Sequence, residues 1–268
     1  MVANPPGAGD NASVEIKGAT VLVTGASSGI GAALSRRLAT DGARVALVAR
    51  RADRLWALAE NLPSSAVAVV PCDVRDPEAI RAAVAAAERE LGPVDVLVNN
   101  AGVGRYLSFL DTPLEDVATI LETNLRAAFD FTRAVLPGML ARRRGHLVNV
   151  ASIAGRIGSR NHTIYCASKF GLVGFSESLG YELADTGVGV TLVNPGIVDT
   201  PFFDETSFAS FPPHARARGI APERVAAAIA TAIRKNRPEV TVPASYALGS
   251  VLNVAAPRLF RRLMRRFA

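Results

Sequence analysis

The strongest constraint on the fold is a pattern that repeats along the chain. A short, nearly unbroken run of Val, Leu, Ile or Ala is followed by a turn and then by a longer Ala/Leu/Arg stretch. The runs are Ala19–Thr24, Arg44–Ala49, Val67–Val70, Val94–Asn99, His146–Ala151 and Val188–Val193, each bounded by Gly, Pro or polar residues. A strand with one wet face alternates apolar and polar residues, whereas an unbroken apolar run suits a strand buried on both faces of a parallel sheet. Helices are expected near 29–40, 53–61, 76–91, 114–143 (as two helices), 162–184 and 222–235, with an edge strand at Glu239–Val242. Strands alternating with helices imply right-handed crossovers and an α/β fold with one doubly wound parallel sheet covered by helices on both faces.

No long polar linker or shift of composition interrupts residues 18–243, which read as one domain. Residues 1–17, rich in Ala, Pro, Gly and Asn, read as a flexible leader, and 244–268 as a C-terminal extension. The leader lacks the basic and apolar segments of a secretory signal, and no apolar run approaches the ~20 residues that span a bilayer. Two cysteines, Cys72 and Cys166, give neither a disulfide framework nor a metal spacing, which suits a reducing, cytoplasmic setting. His146, His162 and His214 are scattered singly, so no metal site is expected.

The net charge of +6 invites a nucleic-acid reading until it is located. Arg258, Arg261, Arg262, Arg265 and Arg266 supply five of those six charges, and no acidic residue follows Glu239. The body of the chain therefore carries no basic bias, and nucleic acid is not an expected partner.

Thr24-Gly25-Ala26-Ser27-Ser28-Gly29-Ile30-Gly31 follows the first strand and opens the first helix. Glycines there allow a tight turn and a close backbone approach to a pyrophosphate at the positive helix N-terminus. The spacing, G-x-x-x-G-x-G, is a variant of the dinucleotide fingerprint. The segment also matches G-x-S-x-G, which in an esterase would make Ser27 the nucleophile, with Asp199 and His214 as partners. That reading leaves Gly31 unexplained and puts the elbow on the first strand. The second strand ends at Ala49-Arg50-Arg51, where an NAD-preferring site would place an acid for the ribose hydroxyl. Guanidinium groups there suit a 2′-phosphate, so NADP(H) is favoured over NAD(H).

Asp73 and Val74 end the third strand, and Asn99-Asn100-Ala101-Gly102 the fourth. Strand carboxyl ends are where open α/β sheets bind ligands, so Asp73 is placed to accept from an adenine amino group and Asn99 to brace the central strands. Asn124 sits in a helical stretch, unfavourable unless its side chain bonds something. Ser152 ends the fifth strand, and Asn194-Pro195-Gly196-Ile197-Val198-Asp199-Thr200 closes the sixth.

Tyr165 and Lys169 are four residues apart and share a helix face. An ammonium beside a phenol favours the phenolate, lowering a pKa that starts near ~10 and fitting the phenol for general acid or base work. Among 30 basic residues only Lys17, Lys169 and Lys235 are lysines, so a chain biased to arginine keeps an ammonium at this spacing.

Taken in order, T-G-x-x-x-G-x-G, N-N-A-G, a mid-chain serine, Y-x-x-x-K and P-G-x-V-x-T make residues 18 to 243 resemble the short-chain dehydrogenase/reductase family, with its Rossmann-type fold. The resemblance implies NAD(P)(H)-dependent interconversion of a small-molecule carbonyl and an alcohol, usually in a homo-oligomer. It implies that Tyr165 is the general acid/base, that Lys169 lowers its pKa and holds the nicotinamide ribose, and that Ser152 bonds the substrate oxygen. Asn124 would anchor a water linking Lys169 to solvent. Gly25, Ser27, Ser28, Gly29, Ile30 and Gly31 would line the pyrophosphate and adenosine, with Arg50 and Arg51 at the ribose. Asp73 and Val74 would meet adenine; Asn100, Ala101 and Gly102 would flank the cofactor; Pro195, Gly196, Ile197 and Thr200 would close on the carboxamide end. A regulator that binds NADP(H) without turnover is the alternative within this fold.

Phe202, Phe203, Phe208 and Phe211 follow Thr200 and fit either a lipophilic substrate pocket or simple packing of a loop. At 257–268, Leu259, Phe260, Leu263, Met264 and Phe267 form one helical stripe and five arginines another. Such a helix suits peripheral contact with an anionic membrane or docking on a neighbouring subunit.

Overall fold

A computed structural model describes residues 13–62, 66–202 and 219–264, with the side chains of 261, 263 and 264 outside that set. Seven strands form one wholly parallel sheet: β1 (Thr20–Thr24), β2 (Arg44–Ala49), β3 (Val67–Pro71), β4 (Val96–Asn99), β5 (Gly145–Val150), β6 (Val188–Pro195) and β7 (Glu239–Val242). Their order across the sheet is β3-β2-β1-β4-β5-β6-β7. The order reverses between β1 and β4, and in such sheets the crevice beyond that point receives the ligand.

The apolar runs are buried on both faces, as their composition demands. Val21 and Val23 of β1 point into one core, and Leu22 between them into the other. The first core includes residues of α1 (Gly29–Thr40), α2 (Ala52–Ala59) and α7 (Pro222–Arg234). The second is closed by α3 (Pro77–Leu91), α5 (Ala127–Arg142) and α6 (Thr163–Glu182). α3 starts where Asp76 accepts the Glu78 N–H at 2.9 Å with Pro77 behind it, a side-chain cap and a preset φ together.

Three features differ from the sequence reading. The expected leader through residue 17 runs too far, because Val14 and Ile16 are 1% and 2% exposed and belong to the first core. Residues 1–12 lie outside the described residues. The stretch expected to hold two helices is continuous: α4 (Leu114–Leu121) passes into a π-helical turn at Glu122–Arg126 and then into α5. The extension forms two helices, α8 (Ser245–Ala255) and α9 (Pro257–Met264). In α9, Phe260 is buried while Leu259, of the same expected stripe, is half exposed; the side chains of Leu263, Met264 and Phe267 lie outside the described residues. No helix among the described residues is long and apolar enough to cross a membrane.

Candidate active site

The loops after β1 and β4 are laced together at the point where the strand order reverses. Thr24 Oγ1 donates to the Val98 carbonyl (3.1 Å) and accepts the N–H groups of Asn100 (2.9 Å) and Ala101 (3.0 Å). Asn100 Nδ2 returns a bond to the Thr24 carbonyl at 2.8 Å. A Cβ on Gly25, which has φ of +67°, would lie 2.9 Å from Ala101 Cα, so the two loops meet only because this position is glycine. Gly31 lies against the Gly25 carbonyl and the Asn100 amide, outside the cavity lining, and lets α1 seat on these loops.

Behind the loops runs a buried polar ladder. Asn99 Nδ2 donates to Asn149 Oδ1 at 2.9 Å, and Asn149 Nδ2 donates to Ser176 Oγ at 2.9 Å. Asn99 thus braces β4 against β5, as its position suggested, and does not line the large cavity.

A cavity of about 780 Å³ opens over the carboxyl ends of the strands. That volume falls in the range of about 300–1,000 Å³ common for small-molecule sites. Gly25, Ser27, Ser28, Gly29, Ile30, Arg50, Arg51, Asp73 and Val74 line one end of it. Asn100, Ala101 and Gly102 line its middle, with Thr200 facing Gly29; Ser152, Tyr165, Lys169, Pro195, Gly196 and Ile197 line the other end. The sequence reading therefore placed its candidates on one surface, with Gly31 and Asn124 outside it.

At the far end, Tyr165 is partly buried, with the Ser152 hydroxyl hydrogen-bonded to its phenol. Ser152 is itself held by the Ala154 N–H at 3.1 Å, on the 3₁₀ turn Ile153–Gly155. Burial pushes the Tyr165 phenol up to about 12, against the opposing pull of the Ser152 bond. Lys169 is 3% exposed, and burial lowers its amine to about 8. Its Nζ donates to the Val150 carbonyl at 2.9 Å and stands 5.9 Å from the centre of the Tyr165 ring. The lowering of the phenol expected from Lys169 is thus not what dominates here; desolvation is.

Asn124 lies in the π turn, 1% exposed, where the sequence had marked an asparagine that must bond something. Its amide bonds both main-chain groups of Val103 and donates to Ser168 Oγ at 3.0 Å. It ties the Gly102–Val103 loop to the helix that carries Tyr165 and Lys169.

At the near end, one guanidinium nitrogen of Arg51 donates to Ser27 Oγ (3.0 Å) and Ser28 Oγ (3.1 Å). A serine nucleophile needs a base to take its proton, and the partner of Ser27 is a guanidinium that can only donate. The esterase reading of Ser27 fails on this contact, and its other nominee, His214, lies outside the described residues. Asp73, the one carboxylate on the cavity wall among the described residues, is clamped by Arg75 at 2.7 Å, and that bond holds its carboxyl below the ordinary range. No cluster of metal-ligating side chains occurs among the described residues.

His162, Tyr246 and Phe260 are among the wall residues that escaped the sequence reading. His162 packs on Tyr165 with ring centres 5.7 Å apart, at the i, i+3 spacing that could have flagged it. Tyr246 and Phe260 come from α8 and α9, which carried no signal pointing inward. Of the phenylalanine cluster, Phe202 stands edge-on to Tyr165 at 5.8 Å; Phe203, Phe208 and Phe211 lie outside the described residues.

A doubly wound parallel sheet with a glycine turn at its switch point and a Ser-Tyr-Lys set at its mouth defines a dinucleotide-dependent oxidoreductase. The model of the short chain dehydrogenase family matches residues 19–209, and the chain belongs to that family, whose members act on carbonyls and alcohols. It is 46% identical over 184 residues to a Streptomyces violaceoruber protein of granaticin polyketide synthase named as ketoacyl reductase 1, covering 67% of this chain and 68% of that one. It is 36% identical over 230 residues to the ketoacyl reductase HetN of a Nostoc species, covering 85% and 79%. The fold matches the crystal structure of a short chain dehydrogenase/reductase from Burkholderia phymatum in complex with NAD. That match has a TM-score of 0.83 at 25% identity and covers 92% of this chain and 96% of the other.

Proposed function

We propose that this chain reduces a lipophilic keto or aldehyde carbonyl, of acyl type, with NADPH. The observation that carries the cofactor choice is the Arg51–Ser27–Ser28 cluster at the end of β2. Arg50 is exposed beside it, and the nearest wall carboxylate, Asp73, is already neutralised by Arg75. Two guanidiniums and two hydroxyls suit a phosphate on the ribose, and an NAD site would instead offer a carboxylate. The glycine turn fits the pyrophosphate: a Cβ on Gly29 would reach within 2.9 Å of Thr200 Cγ2 and narrow the cleft between them.

When bound, the dinucleotide supplies the hydride. The protein's own groups handle the proton. Tyr165, protonated across the neutral range, donates its proton to the carbonyl oxygen as the alcohol forms. Ser152, bonded to that phenol, is placed to hold the same oxygen. The buried Lys169 ammonium steadies the phenolate left behind by its charge. Asn124 and the π turn keep the two helical segments in register, so the set is formed before substrate arrives.

The wall beyond Tyr165 is built of Ile153, Ile157, Phe202, Tyr246 and Phe260, an apolar surface that supports a lipophilic substrate. The names of two relatives, ketoacyl reductases, support an acyl one. The test is to follow NADPH and NADH consumption over acetoacetyl thioesters, long-chain ketones and small polar carbonyls. The reading expects the highest kcat/KM with NADPH and the longer apolar substrates. Preference for NADH, or activity confined to small polar carbonyls, overturns the corresponding half of it. Binding of NADPH with no turnover on any of them would favour the regulator reading.

A further inference from the structure

We propose that α8 and α9 dock the protein on an anionic lipid surface, and that the docked element is also one wall of the cavity. α8 carries no charged residue. Its outward positions Leu248, Val251 and Val254 are 73%, 62% and 81% exposed, and their spacing of three puts them on one side of the helix. Leu259 of α9 is also 52% exposed. Contiguous exposed aliphatics of this kind mark an interaction surface, whereas scattered ones do not.

What covers that surface is argued from charge. Arg258 and Arg262 are exposed at its end, the chain adds Arg261, Arg265 and Arg266, and no acidic residue follows Glu239. A second copy packed segment against segment would bring arginines from both copies to the seam and no carboxylate from either segment. An anionic bilayer satisfies both parts at once: the aliphatics enter the interface and the guanidiniums meet lipid phosphates. Interfacial binding of this kind grows with the apolar area buried and with the attraction to anionic lipid, and this element offers both.

The inner side of the same pair faces the chemistry. Tyr246 and Gly249 of α8 and Phe260 of α9 line the cavity that holds Tyr165. Asn253 Nδ2 donates to the Arg156 carbonyl at 3.2 Å, on the residue that ends the turn after Ser152. Arg156 in turn bridges Glu177 of α6 at 2.7 Å and Glu239 of β7 at 3.0 Å. If the substrate is lipophilic, which rests on the function proposed above, it can pass from the bilayer into the cavity beneath α8 without crossing water.

The test is co-sedimentation of the full chain with vesicles of phosphatidylcholine alone and of an equal mixture with phosphatidylglycerol, at low and high salt. The expected result is pelleting with the mixed vesicles only, released by salt. Leu248→Asp with Val251→Asp abolishes it. Arg258→Glu with Arg262→Glu lowers the partition coefficient at least about tenfold. Unchanged melting temperature and NADPH binding show that these variants fold. Equal pelleting on neutral vesicles, pelleting unchanged in both variants, or none above the vesicle-free control overturns the proposal. So does a sedimentation-velocity shift from dimer to monomer caused by the Leu248 and Val251 changes, which would assign the surface to a second copy. Because pelleting needs no turnover, a wrong substrate class leaves this result readable.

Discussion

Asn124 grips Val103 from both sides: its Oδ1 accepts the Val103 N–H at 2.8 Å and its Nδ2 donates to the Val103 carbonyl at 2.9 Å. The pairing needs the side chain turned out of a regular helix, and the π turn at Glu122–Arg126 provides that turn. Through Ser168 the same amide reaches α6. The active-site loop after β4 is thereby fastened to the helix of Tyr165 and Lys169 by one residue.

Asn124→Leu keeps the volume and removes all three bonds, stranding two main-chain groups of Val103. Each stranded group costs about 1–3 kcal/mol, so urea unfolding is expected to show a loss of at least about 2 kcal/mol. Turnover should fall more than cofactor affinity, because the loop and α6 lose register. A variant as stable and active as the parent would remove Asn124 from this role.

Tyr165→Phe deletes the proton donor and the Ser152 bond but keeps the ring against Phe202 and His162. Turnover is expected to drop by about 10²–10⁴ or more while NADPH binding, followed by fluorescence, stays within a few-fold. Near-parental kcat would sink the assignment of the phenol.

How much of this was legible beforehand depends on what kind of signal each part leaves. The strands were readable because burial on both faces forces unbroken apolar runs such as Val21–Val23, and the glycine turn because Gly25 and Gly29 take positive φ. Asn124 was visible as an anomaly, since an amide inside a helix competes with the backbone; the π turn that resolves it was not, because nothing in a sequence period marks one extra residue per turn. The contact of Gly31 with Gly25 was hidden for a related reason, since glycine spacing does not tell a close packing contact from a ligand contact. α8 stayed hidden because Ser245–Ala255 has no charged residue to reveal an amphipathic face. The inward turn of Tyr246 and Phe260 depends on tertiary packing alone.

His162 supplies a test that needs no substrate. Burial lowers its imidazole to about 4, against an ordinary value near 6.5, so the native state holds it neutral where the unfolded chain protonates it. The unfolded state binds the extra proton between those values, and stability therefore rises with pH from about 4 to 6.5 and is lost as pH falls through that window. A shift of this size corresponds to roughly 3 kcal/mol at most. His162→Phe keeps the edge contact with Tyr106, whose ring centre lies 4.8 Å away, and removes the titration. The unfolding free energy of the parent minus that of the variant should climb across the window. A flat difference would show that His162 titrates normally.

The last prediction separates the two arginines. Arg51 is anchored on Ser27 and Ser28, whereas Arg50 is exposed at the strand end. A charge-assisted bond to a phosphate is worth about 1.5–3 kcal/mol, or about 10- to 100-fold in affinity. Arg51→Ala should thus lower the kcat/KM ratio of NADPH to NADH by about that factor, mostly by raising the KM for NADPH and leaving NADH nearly untouched. Arg50→Asp places a carboxylate where a ribose hydroxyl would welcome it and should shift the ratio further, by improving NADH as well as weakening NADPH. Steady-state kinetics with both cofactors on one carbonyl substrate decides the matter. If both variants keep the parental ratio, the basic end of β2 does not read the 2′-phosphate, and the preference for NADPH falls with it.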